Sequence, residues 1–178
     1  VKGLRVGASF YYNQTAKNGT NPWRNTGYKF PVTIVTGDLQ YKGFNNNLIV
    51  RGNAVYGNLG ASGALTTINN SSSAASGYPN TTVAQNAVSY GGEAGYNIGS
   101  FFHSKAPRIY PFIRYEYYNP MEKTEANTGL LADKRFQVSA VTAGLNYYAL
   151  PNLVIKADYT HRSIGGGKYN DENLVSVG

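Results

Sequence analysis

Apolar and polar residues alternate along most of this chain, and a period of two marks β-strands with one apolar face. In Leu4–Tyr12, the residues Leu4, Val6, Ala8, Phe10 and Tyr12 share one face; Arg5, Gly7, Ser9 and Tyr11 share the other. The same phase predicts strands over Val32–Tyr41, Leu48–Tyr56, Val88–Ile98, Ile109–Tyr117, Phe136–Tyr148 and Leu153–Arg162. An eighth begins near Leu174 and is cut off at Gly178. These runs are about nine to eleven residues long, the length a tilted strand needs to cross a bilayer. Strands of soluble sandwiches average about five or six.

The connections sharpen this picture. Asn13–Pro31, Gly57–Ala87, Asn119–Arg135 and Ser163–Asn173 are long. Lys42–Asn47 and Ala149–Asn152 are short, and Gly99–Arg108 is moderate. Such alternation is expected of an up-and-down outer-membrane barrel, with short periplasmic turns and long outer loops. Under that rule the first strand runs outward and both ends of the chain are periplasmic. The Ser/Asn/Gly-rich stretch Asn69–Asn80 reads as a solvated loop, and Asn46–Asn47 and Ala149-Leu150-Pro151-Asn152 as turns. Tyrosines gather near strand ends: Tyr11, Tyr12, Tyr41, Tyr56, Tyr96, Tyr110, Tyr117, Tyr118, Tyr147, Tyr148 and Tyr159. An apolar ring with a hydroxyl that needs water suits a membrane interface.

Composition excludes several classes. No apolar run is long enough for a membrane-spanning helix. The mean hydropathy of −0.36 does not argue against strands in a membrane, since only alternate residues of a barrel strand meet lipid. With no Cys there is neither a disulfide framework nor a thiolate metal site. The net charge of +7 raises a polyanionic partner, yet no basic run exists, so no nucleic-acid partner is expected. His103 and His161 stand alone, without a second metal ligand at a suitable spacing. Gly165-Gly166-Gly167-Lys168 fails the phosphate-loop spacing, because Tyr169 follows the lysine and no strand-to-helix context surrounds it. No nucleophile with its base is recognisable, so no enzyme activity, cofactor or metal is expected.

Charge on the polar strand face remains. The strand phase puts Arg5, Arg51, Arg114, Lys156 and Arg162 there, with Asp38, Glu93, Glu116 and Asp158. The two signs nearly cancel, so most of the positive excess falls in connections, where Lys17, Lys29 and Lys168 would steer anions. Unpaired buried charge is costly, so a face of this kind is expected to be wet. Arg5, Arg51, Arg114, Glu116, Lys156, Asp158 and Arg162 are the candidate pore-lining residues.

Two segments carry a family resemblance. Ala143-Gly144-Leu145-Asn146-Tyr147-Tyr148, then Pro151-Asn152 and Leu153-Val154-Ile155-Lys156-Ala157-Asp158-Tyr159, resembles the penultimate hairpin of the bacterial phosphate-selective porin O and P family. Tyr110-Pro111-Phe112-Ile113-Arg114-Tyr115-Glu116-Tyr117-Tyr118 is similar to the strand that precedes it in that family. The resemblance covers about Tyr110–Tyr159. It implies a sixteen-strand, usually trimeric porin that passes small anions, of which this chain would be the C-terminal half. The family's phosphate-binding arginine and lysine ladders are not placed here, so phosphate specificity is not carried over.

The expectation is therefore an all-β, antiparallel up-and-down transmembrane β-barrel. Residues 1–178 would form one barrel segment, incomplete at both ends, in a Gram-negative outer membrane. Its partners would be outer-membrane lipid, lipopolysaccharide and small solutes, with a homotrimer implied by the resemblance. It would pass small hydrophilic, including anionic, solutes by passive diffusion. The alternative is a complete eight-strand outer-membrane barrel with a structural, anchoring or adhesion role.

Overall fold

The computed structural model describes residues 2–15, 29–72, 82–102, 107–126, 128–150, 152–168 and 170–178. Its strands are β1 (Leu4–Thr15), β2 (Phe30–Gly43), β3 (Leu48–Leu59), β4 (Asn86–Tyr96), β5 (Arg108–Lys123), β6 (Val138–Leu150), β7 (Leu153–Ile164) and β8 (Asp171–Val177). They form one eight-stranded sheet in the order β1 to β8, every neighbour antiparallel. Each strand pairs with the one before it in sequence, the simplest topology for strands joined by hairpins. The sheet is open: β1 and β8 are its two edges and do not pair with one another. The expected antiparallel up-and-down arrangement is present; closure into a barrel is not.

Most strands run further than the alternation alone predicted. β5 extends to Lys123 and spans 16 residues, past the predicted end at Tyr117. A register irregularity against β4 accommodates the extra length, with Val88 opposite Asn119 but Asn86 opposite Lys123. β8 begins at Asp171 rather than near Leu174, because Ser163, Arg162 and His161 of β7 supply partners for Asp171, Glu172 and Asn173. At the β2–β3 turn, Phe44, Asn45 and Asn46 all take positive φ. Asn tolerates that left-handed conformation at little cost, which is why this sequence turns here.

One expectation fails in the long β3–β4 connection. Helix α1 (Ser62–Ser72) occupies its first part and takes in Asn69–Ser72, the start of the stretch read as a loop; residues 73–81 lie outside the described residues. The reason is a contact remote in sequence. Glu125, just beyond β5, accepts a hydrogen bond from Gly63 N at 2.6 Å and one from Ser62 Oγ at 3.5 Å. A carboxylate at a helix N-terminus satisfies free N–H groups and opposes the helix dipole. Thr66 donates to Ser62 O at 3.0 Å and accepts from Val83 N at 2.9 Å, and Ser62 and Thr66 are buried.

About half of the large apolar residues in the strands remain exposed. Val6, Phe10, Ile113, Val175 and Val177 are between 58% and 78% exposed, whereas the buried hydrophobic set is small: Phe30, Tyr110, Met121, Val138 and Ala140. Among the described residues there is thus no enclosed core of ordinary size, and nothing covers the apolar face of the sheet.

Candidate functional site

Cross-strand register shows how the two faces are composed. One row runs Arg5, Gln40, Arg51, Glu93, Arg114, Thr142, Thr160 and Leu174 from β1 to β8. The next row towards the long connections runs Gly7, Asp38, Asn53, Gly91, Glu116, Ala140, Arg162 and Glu172. Lys156 and Asp158 share this face through their pairing with Asn146 and Gly144. All seven candidate residues, Arg5, Arg51, Arg114, Glu116, Lys156, Asp158 and Arg162, therefore lie on one face.

Three charged residues on that face escaped the sequence reading. Lys42 pairs with Ile49, Arg108 with Tyr148, and Glu172 with Arg162, all in the phase of the polar face. Each lies just outside the strand limits predicted from the apolar pattern. Carrying the alternation one or two residues further would have found them.

The central charges form a chain. Arg51 Nη1 is 3.4 Å from Glu93 Oε1, and Glu93 Oε2 is 4.0 Å from Arg114 Nη1. Arg114 Nε is 3.2 Å from Glu116 Oε2, close enough for an ion pair though outside hydrogen-bond geometry. Arg162 Nη2 meets Glu172 Oε2 at 2.7 Å. Glu93 thus bridges two arginines from neighbouring strands. Pairs this exposed each stabilise by about 0.2–1 kcal/mol, so their main effect is on the local field. The i and i+2 pair Arg114–Glu116 cancels as expected. Lys156 and Asp158, in the same relation on β7, make no ion pair among the described residues. Arg108 instead sits over the ring of Tyr148, 5.2 Å from its centre.

Two hollows open on this face. One, of about 670 Å³, is lined by Arg5, Gly7, Asp38, Gln40, Arg51, Glu93 and their neighbours; a second, of about 480 Å³, reaches from Asn53 to Ser176. Gly91 contributes to both. A Cβ there would stand 3.0 Å from Tyr115 O and 3.4 Å from Asn53 Oδ1, so a side chain at this position would crowd both strands and fill the floor.

The other face holds two lines of tyrosine. Near the long connections lie Tyr12 on β1, Tyr56 on β3, Tyr90 on β4, Tyr117 on β5 and Tyr159 on β7, with Tyr90 and Tyr117 stacked at 4.9 Å. Near the short connections lie Tyr41 on β2, Tyr96 on β4 and Tyr147 on β6. Tyr11, Tyr110, Tyr118 and Tyr148 belong to the polar face instead; Tyr110 donates to Asn46 O at 3.1 Å.

Both lines run diagonally. Leu4 and Tyr159 stand in one cross-strand row, through Tyr41, Val50, Ala94, Ile113 and Ala143. Tyr12 is eight residues beyond Leu4, so the upper line drops eight residues in the six steps from β1 to β7. At about 3.4 Å per residue and 4.8 Å per strand, that is a slope of about 40°. The lower line drops four residues in the four steps from Tyr41 to Tyr147, a slope of about 35°. His161, Asn173, Ser163 and Asp171 are polar residues on this mainly apolar face, and all four lie on the long-connection side of Tyr159. His161 Nδ1 is 3.0 Å from Asn173 Oδ1, which also accepts from the Tyr159 hydroxyl at 2.7 Å.

Among the described residues no group of three or more His, Asp or Glu is arranged to hold a metal ion. Lys17, His103, Pro151 and Tyr169 lie outside the described residues. Comparison with protein-family models, curated proteins and solved structures returns no match.

Proposed function

We propose that this sheet is part of the wall of an outer-membrane β-barrel of porin type. Its tyrosine-edged apolar face meets lipid, and its charged face lines a watery passage for small hydrophilic solutes.

The diagonal course of the two tyrosine lines carries this reading. A membrane interface is a plane, and aromatic girdles follow it whatever the strands do. In transmembrane barrels the strands are tilted by about 35–45°, so a level girdle must cross the strand register at that angle. Both lines here have that slope, in the same sense. The tilt also accounts for His161 and Asn173: they share a row with Val6, yet on β7 and β8 that row has already risen past the girdle. Strand lengths of 11 to 16 residues in β1–β7 are long enough to span at this tilt. Charged residues on the opposite face of β1–β5, β7 and β8 call for water, since the unpaired members would be costly in a dry interior.

The alternative, a closed eight-strand barrel, needs β1 hydrogen-bonded to β8. The open edges favour the larger wall instead, in which both edges meet further strands. No single charge on the wall fixes the solute: the central cations and anions offset one another, which favours mild ionic selectivity governed by size and local field.

Carbonate washing followed by detergent extraction tests the membrane assignment, and planar-bilayer recording tests the passage. The protein is expected in the detergent fraction and to give stepwise conductance. Release by carbonate overturns the lipid-facing role; membrane retention without conductance overturns the passage and favours an anchoring role.

A further inference from the structure

We infer that the larger hollow is a binding site for small zwitterions of the amino-acid class, held between Arg5 and Asp38. This inference rests on the polar face being accessible to water, as the proposed passage requires.

The hollow is lined by cations and anions in equal number, but they are not equally available. Arg51, Glu93, Arg114 and Glu116 form the chain of ion pairs already described, so their charges are largely spent on each other. Arg5 and Asp38 are different. Both line the same hollow and both are exposed, yet among the described residues neither makes an ion pair or a side-chain hydrogen bond. Their backbone positions explain why. Arg5 stands opposite Gln40 and Asp38 opposite Gly7, so the two are diagonal neighbours, with Cα atoms about 7–8 Å apart. Their charged groups do not come within 4 Å of each other.

An open cation beside an open anion suits a ligand that carries both charges on a short frame. A carboxylate fits the planar fork of a guanidinium, and an ammonium donates to a carboxylate. A simple anion would gain Arg5 but face Asp38; a simple cation would gain Asp38 but face Arg5. Only a zwitterion satisfies both, and its zero net charge matches a hollow whose other charges cancel. Gly7 sets the geometry. An added Cβ there would stand 2.4 Å from Asp38 Oδ1, so the absence of a side chain is what lets the Asp38 carboxylate rest over β1.

The test is a titration of the whole refolded chain in detergent micelles, with glycine, acetate and methylammonium compared at fixed ionic strength. Carboxylate and ammonium shifts are followed by NMR. Glycine is expected to bind at least about tenfold more tightly than either single ion, the least that one charge-assisted hydrogen bond confers. Arg5→Gln and Asp38→Asn should each remove that advantage, and the double variant should lose little more than either alone. Gly7→Ala keeps every charge but displaces Asp38, and should also weaken glycine binding. Equal affinity for glycine and acetate, or a glycine preference that survives all three variants, overturns the inference. Bilayer conductance reports separately on the passage. Channels without glycine preference sink this site alone, and glycine preference without channels sinks the passage alone.

Discussion

On β6, Val141, Ala143 and Leu145 leave one side of the sheet, while Thr142, Gly144 and Asn146 leave the other. The same backbone and the same hydrogen bonds serve both sets. On the first side the neighbours are Ile113, Tyr115, Ala157 and Tyr159, and large apolar groups lie open. On the second, Thr142 is buried, shares a hydrogen bond with Thr160 at 2.8 Å, and stands in the row of Arg51, Glu93 and Arg114. The apolar face is a matter of area and tolerates any arrangement of greasy residues. The polar face is a matter of pairing, in which one residue changes what its neighbours carry. Substitutions on the two faces should therefore fail in different ways.

The largest contrast is expected between adjacent positions of β6. Leu145→Arg puts a guanidinium on the face assigned to lipid and should cost about 2–4 kcal/mol at membrane depth; Asn146→Arg should cost about 1 kcal/mol or less. Reversible denaturant unfolding in lipid vesicles measures both. Equal costs at the two positions would erase the distinction between the faces.

A smaller effect, on conduction rather than stability, is expected at Glu93. Glu93→Gln removes the one carboxylate that bridges Arg51 and Arg114, leaving two guanidinium groups less compensated. The reversal potential under a KCl gradient should move towards anions and return as salt rises, since exposed charges are screened over about 8–10 Å. The opposite change, Arg114→Glu with Lys156→Glu, should move it towards cations. No movement in either variant would place the filter elsewhere than on these strands.

The smallest effect belongs to the rim. In the β5–β6 connection, Arg135 donates to both Asp133 carboxylate oxygens, with Nη2–Oδ2 at 2.6 Å. The side-chain hydrogen bond from Arg135 is the chief reason the Asp133 pKa lies below the usual carboxylate value, and the backbone N–H of Arg135 adds to it. The folded state therefore favours the ionised form. That contribution is complete above the ordinary carboxylate pKa and is lost as pH falls through the lowered one. Proteolysis of this connection should quicken only in acid, and Asp133→Asn should abolish the pH dependence while leaving both faces of the sheet unchanged. A rise in cleavage already near neutral pH would contradict the assignment.

Particular residues show what could be read beforehand and what could not. The alternation within each strand put all seven charged candidates on one face, as the register also has them, because side-chain direction in a strand depends only on parity. Strand ends were less legible. Lys42, Arg108 and Glu172 are polar residues at the margins, where the apolar pattern has stopped but backbone pairing continues. Helix α1 was not legible at all. Its Ser- and Asn-rich sequence has no strong helical preference, and the carboxylate that caps it comes from Glu125, more than 60 residues away.

Sequence alone determined the periodicity, the order of the strands and the identity of the two faces, since each follows from local geometry and from hairpins joining neighbours. Register was decided only by the tertiary structure. Sliding one strand by two residues keeps every side chain on its face and leaves the periodicity unchanged, yet it would move Glu93 away from Arg51 and Arg114 and break the line from Tyr12 to Tyr159. The ion-pair chain, the diagonal placing of Arg5 and Asp38, and the slope of the tyrosine lines are therefore properties of how the strands meet, because each depends on the relative shift of segments far apart in the chain.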